Sequence, residues 1–320
     1  MRFLRNLFTN RWFILAIALY VAALLVLARH AEFSVGEMLI ALGIFGFAFP
    51  LLAWFTTRRA KRLPVDVHPS GTEMLVLVGY ILALSLYLAF GPQAIDSWLP
   101  QHWIESDRIK FFVTLIKKLL VFVVFPLVIF GKGFRCSLRN FGFQSAGVRE
   151  LFRSHLPLIL VSGAAILTFQ YFLGGGAAPL REGKFPTTEL LLGLPLCFVW
   201  LIIETGLVEE FFFRALLQTR ISAWFRSEIT GVVLMTLMFG LAHAPGFIFR
   251  HAGVVEGLGA NPSTLDAIAY SIVTLSIGGI FFGVVWARTR NLFALILLHA
   301  FTDLFPNLSD FVRTWLQPTS

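Results

Sequence analysis

Nine stretches of this chain are long and apolar enough to cross a bilayer: Trp12 to Ala28, Val35 to Phe55, Met74 to Phe90, Phe111 to Phe130, Leu156 to Leu173, Leu190 to about Leu217, Ile229 to about Phe249, Ile268 to Ala287 and Leu292 to about Phe305. A hydrocarbon core about 30 Å thick takes roughly 20 consecutive apolar residues as a helix. The expected fold is therefore all-α, a polytopic bundle of about nine transmembrane helices. Composition agrees, because a chain that is 57% apolar and 14% charged is no ordinary soluble domain.

Lysine and arginine fall on alternate connections. Three lie before or at the start of the first stretch, four follow the second (Arg58, Arg59, Lys61, Arg62) and five follow the fourth (Lys132, Arg135, Arg139, Arg149, Arg153). The positive-inside rule then predicts a multi-pass cell-membrane protein with its N-terminus in the cytoplasm and, after nine crossings, its C-terminus outside. The net charge of +8 sits mostly in these loops, where anionic headgroups of the lipid bilayer attract it, and it calls for no nucleic acid. Trp12 to Ala28 lacks a small-residue cleavage site and reads as a retained first helix. The two cysteines, Cys136 and Cys197, form neither a disulfide framework nor a metal spacing.

The composition shifts once along the chain. Residues 1–130 form an accessory region of four spans, with the pair Lys117-Lys118 in the middle of the fourth. Residues 131–155 are basic and amphipathic and read as a helix lying in the membrane interface. Residues 156–308 form a five-span core, and 309–320 a C-terminal tail.

All three charged motifs lie in that core. Three motifs place ionisable groups in apolar sequence: Glu209-Glu210-Phe-Phe-Phe-Arg214, Phe239-Gly-Leu-Ala-His243 and His299-Ala-Phe-Thr-Asp303. Such groups are expensive at membrane depth and usually mark function. Taken singly, each has a plain structural reading, the Glu and Arg as a buried ion pair and each histidine as a hydrogen-bonded packing residue. Their recurrence within a hundred residues points instead to one shared site. Helical spacing puts Glu210 and Arg214 on one face and rotates Glu209 about 100° away. Glu209 is then expected to serve as a base and Glu210 as the structural partner of Arg214. His299 and Asp303 also share a face, so the acid can orient the imidazole or make a polar contact of its own. Lys117 or Lys118 is expected to pair inside the bundle with Glu204, the alternative being that both snorkel to an interface.

The order Glu-Glu-x-x-x-Arg, Phe-x-x-x-His and His-x-x-x-Asn/Asp, each on its own membrane helix, resembles the CAAX prenyl protease and bacteriocin-processing (Abi) family, which includes the Ras-converting endopeptidase. The resemblance covers roughly residues 135–308 and extends to the spacing Gly279-x-x-x-Gly283, which lets helices pack closely. It implies an intramembrane glutamate endopeptidase without a cofactor. In that reading Glu209 and His243 activate water, His299 and Asp303 face the oxyanion, and Glu210 and Arg214 support the site. The implied partner is a peptide or protein substrate, membrane-embedded, lipid-modified or secreted. Family members often carry Asn at the position of Asp303, and an amide can donate to an oxyanion where an ionised carboxylate cannot. Two other readings compete: a zinc protease using His243, His299 and Glu209, and a non-catalytic immunity, transport or scaffold protein on the same fold. Neither Gly-x-Ser-x-Gly nor His-Glu-x-x-His occurs in the chain.

Overall fold

The computed structural model describes residues 7–249, 257–258 and 262–317. Among these residues every regular element is helical. Eight helices have the length and hydropathy of membrane spans, and a ninth, α1 (Arg11–Leu27), has 17 residues. The others are α2 (Val35–Thr56), α3 (Gly71–Asp96), α4 (Asp107–Lys132), α6 (Leu156–Leu173), α7 (Thr187–Trp224), α8 (Glu228–Phe249), α9 (Thr264–Thr289) and α10 (Leu292–Trp315). The amphipathic segment contributes a short helix, α5 (Ser145–Arg153), and a 3-10 turn at Leu138–Phe141 that ends where Gly142 adopts φ +80°.

Local chemistry sets the helix starts. The first free N–H groups of a helix need acceptors. Asn10, Ser34, Ser70, Ser106, Ser227, Ser263 and Asn291 provide them at α1, α2, α3, α4, α8, α9 and α10 respectively. For this reason α3, α4 and α9 begin several residues before the apolar stretches do, and α10 continues through Pro306 to Trp315, past the apolar run that ends near Phe305.

The chain forms two compact units, interleaved in sequence. The first comprises Met1–Trp54, Asp66–Trp98 and Leu216–Arg288, the second Phe55–Val65, Leu99–Ala215 and Thr289–Ser320.

In the first unit α9 packs on α8 through glycines. A Cβ on Gly279 would lie 3.3 Å from the Thr236 Cα, and one on Gly283 would lie 3.1 Å from the Met235 and Val232 side chains. The Gly-x-x-x-Gly spacing thus lets two backbones meet, as expected. At one end of this unit the Asn10 amide donates to Thr230 (2.9 Å), and Arg220 pairs with Glu73 (2.7 Å). At the other end His30 meets Asp266 (3.0 Å), and Phe90 packs on Phe249.

In the second unit α10 is the central helix, packed against α5, α6 and α7. At its start the Leu63 N–H donates to the Thr289 carbonyl (2.9 Å), and the Asn291 amide donates to the Gly147 carbonyl (2.9 Å). At its end Arg108 donates to the Thr314 carbonyl (3.0 Å), and Gln317 meets Glu189 (3.3 Å).

Within each unit these contacts join only helix ends of the same parity in the chain, as required if each of the nine helices crosses once. α1 fits this pattern although its 17 residues span only about 26 Å. Outward-facing Leu25, Phe47, Leu75, Leu82, Leu86, Leu160 and Leu191 are each more than half exposed, the outer surface of a protein whose solvent is lipid.

Candidate active site

The second unit gathers four acids, a lysine, an arginine and a histidine around the α7 to α10 contact. The starting point is Gly206, where an added Cβ would lie 2.7 Å from the Ile296 carbonyl oxygen. Only a glycine lets α7 come this close to α10. Gly206 lies three positions before Glu209 and Ile296 three before His299, so the close approach brings these short side chains together. The α7 backbone is also re-wound, with π-helical turns over Ile202–Leu207 and Glu210–Gln218. Such turns are frequent at functional sites because they re-aim side chains in an otherwise regular helix.

Glu210 forms the base of the cluster. Its Oε1 accepts from Arg214 (2.9 Å) and from His299 Nδ1 (2.5 Å), and the Glu210 and Arg214 side chains are fully enclosed. A carboxylate can only accept, so His299 carries a proton on Nδ1 and turns Nε2 to the opposite side. There Nε2 lies 3.6 Å from Glu209 Oε2 and 3.6 Å from Asp303 Oδ2. The expected Glu210 to Arg214 pair is present. The contact from Glu210 to His299 is one that helical spacing did not reveal.

Exposure divides the acids. Glu210 is 0% exposed, whereas Glu209 and Asp303 retain 17 and 26%, so these two carboxyls are partly open and Glu210 is enclosed. The surroundings are specific too. Thr205 lies beside Asp303, Gln170 of α6 donates to the Thr302 carbonyl, and Phe211 lies between Phe141 and Phe143. The anticipated partner of Lys118 is found: its ammonium contacts Glu204.

His243 belongs to the first unit. It sits where α8 turns at Ala242–His243 ahead of Pro245, whose missing N–H and ring interrupt a regular helix. Its Nδ1 donates to the Phe239 carbonyl (2.9 Å), and the Phe239 ring packs against the imidazole edge. In the neutral ring this bond leaves the lone pair on Nε2. Cys136 and Cys197 are free thiols. Among the described residues no three His, Cys, Asp or Glu side chains are disposed to hold a metal ion.

Residues 191–305 match the family model described as type II CAAX prenyl endopeptidase Rce1-like. The chain is a multi-pass membrane protein, and the region that resembles this family, about a third of the chain, holds Glu204, Glu209, Glu210, Arg214, His243, His299 and Asp303. Comparison with curated proteins and with solved structures gave no match at the significance threshold.

Proposed function

We propose that this chain is an intramembrane endopeptidase in which Glu209 is the base that activates water. The observation that carries the reading is the division of labour around His299: one ring nitrogen is held by enclosed Glu210, and the other faces partly exposed Glu209 and Asp303. Water attacks the scissile carbonyl as Glu209 takes its proton, and the C–N bond breaks as that proton passes to the leaving amine. A protonated His299 Nε2 meets the developing oxyanion from a site with little water, where a fixed donor is worth most. The family resemblance assigns His243 to the activation of water together with Glu209. Asp303 supplies the remaining polar contact, and Arg214 fixes Glu210.

The substrate in this reading is a membrane-associated, lipid-modified or secreted peptide. Residues 156–308 form the catalytic core, 1–130 an accessory region, and the basic segment 131–155 lies along the interface. The N-terminus is cytoplasmic and the C-terminus is outside the cell membrane. A cysteine placed after residue 310 in a cysteine-free protein then reacts with an impermeant maleimide on intact cells, and labelling only after lysis rejects this orientation. For the activity, peptides that accumulate in Glu209→Gln membranes but not in wild type, read by mass spectrometry, identify the substrate. Identical peptide profiles in the two membranes reject the reading.

A further inference from the structure

Lys118 reaches the acid cluster from outside the region that matches the family model. It projects from α4, and both it and Glu204 are largely enclosed, at 31 and 13% exposure. A lysine in mid-span needs an acid partner, which accounts for the contact with Glu204. The contact also has consequences for the rest of the site, because the Lys118 charge acts on Glu209 and Asp303 as well as on Glu204.

The charges around Glu209 can be named by helix. α7 contributes Glu204, Glu209, Glu210 and Arg214, α10 contributes His299 and Asp303, and α4 contributes Lys118; the Cys197 thiol of α7 also lies near Asp303 and Glu204. Among the described residues named here, four carboxylates stand with two fixed cations and one imidazole. Arg214 is engaged with Glu210, so Lys118 is the fixed cation that faces Glu204. Without it the enclosed cluster carries one more uncompensated negative charge, and an enclosed cluster relieves such an excess by binding a proton. A proton on Glu209 removes the base.

We propose that Lys118, acting through its pair with Glu204, is a positioning residue that offsets one charge of the acid cluster and keeps Glu209 in its ionised form. The inference rests on the reading of Glu209 as the base.

The test uses the full-length protein in lipid nanodiscs and a quenched-fluorescent C-terminal peptide, farnesylated or plain, whichever wild type cleaves faster. Profiles of kcat/KM against pH are compared for wild type, Lys118→Met, Lys118→Arg, Glu204→Gln and the double variant Lys118→Met/Glu204→Gln. In Lys118→Met the acidic limb moves to higher pH by about one unit, with kcat falling more than KM rises. Arginine at 118 restores the limb, and so does the double variant, in which one positive and one negative charge leave together. A purely structural pair changes melting temperature and leaves the limbs in place. If Lys118→Met does not fold, Glu204→Gln decides alone: an acidic limb moved to lower pH supports the proposal, because one negative charge has left while Lys118 stays, and an unmoved limb overturns it. A Lys118→Met profile coincident with wild type overturns it as well. Glu209→Gln in the same assay separates the two ideas, because turnover in that variant rejects the base assignment whatever the lysine does.

Discussion

His299 Nδ1 lies 2.5 Å from Glu210 Oε1, a contact between residues 89 positions apart that fixes which face of the imidazole is available for chemistry. The same oxygen binds Arg214, so losing the Glu210 charge leaves a cation enclosed and an imidazole without its acceptor. Glu210→Gln should therefore be a poorly stable protein, with a loss of about 3 to 5 kcal/mol for breaking a fully buried pair. Its folded fraction should also turn over more slowly. Melting curves and cleavage rates on the same sample measure both effects.

Asp303 is 26% exposed and faces His299 Nε2 at 3.6 Å. If its part is a polar contact to the ring or the oxyanion, Asn can supply it by accepting from His299 and donating to the oxyanion. Asp303→Asn should keep most of the activity and Asp303→Ala should lose it. A folded but inactive Asp303→Asn would show that the charge itself is required.

The close approach of α7 and α10 at Gly206 is testable without a substrate. An alanine there would bring its Cβ to 2.7 Å from the Ile296 carbonyl oxygen, and backbone cannot move aside as a side chain can. Gly206→Ala should lower stability by about 1 to 3 kcal/mol, the usual cost of overpacking. It should also reduce turnover, because the helices that carry Glu209 and His299 are pushed apart. Unchanged melting and rate would show that the contact is loose.

Outside the spans, His155 gives a pH dependence of stability. It is fully buried, its Nε2 donates to the Lys61 carbonyl (3.1 Å), and its Nδ1 accepts from the Asn291 amide (2.8 Å). A second ring proton would displace the Asn291 donor. Burial holds its pKa below the ordinary 6.5, against smaller opposing effects of the Lys61 carbonyl and Glu150. The folded state therefore favours the neutral ring. This stability is complete above 6.5 and is lost as pH falls toward the lower folded value. Melting temperature should drop between about pH 7.5 and pH 5.5 in wild type and drop less in His155→Gln. Parallel curves would remove His155 from the account.

How much of this was legible in the sequence depends on the range of the interaction. Membrane helices were legible because each must satisfy its backbone alone and face lipid, which leaves an apolar run for every span. Their ends were less so, since Ser106 and Asn291 start helices by capping and α10 stays helical through polar residues that hydropathy ignores. The Glu210 to Arg214 pair follows from local spacing, and the Lys118 to Glu204 pair from the need of any mid-span charge for a partner. The hold of Glu210 on His299 does not follow from either. It needs the π turns of α7 and the bare backbone at Gly206, and neither appears in a pattern of apolar residues.

The measurement that bears most directly on the proposed function is cleavage of the same peptide by Glu209→Gln and Glu210→Gln, each with a melting curve, with and without a strong chelator. The account predicts a Glu209→Gln protein that melts like wild type and has no turnover, a Glu210→Gln protein that fails mainly through stability, and wild-type activity that survives the chelator. An active Glu209→Gln beside a stable, inactive Glu210→Gln would reverse the two roles. Activity lost to the chelator and restored by zinc would replace direct water activation by Glu209 with a metal mechanism.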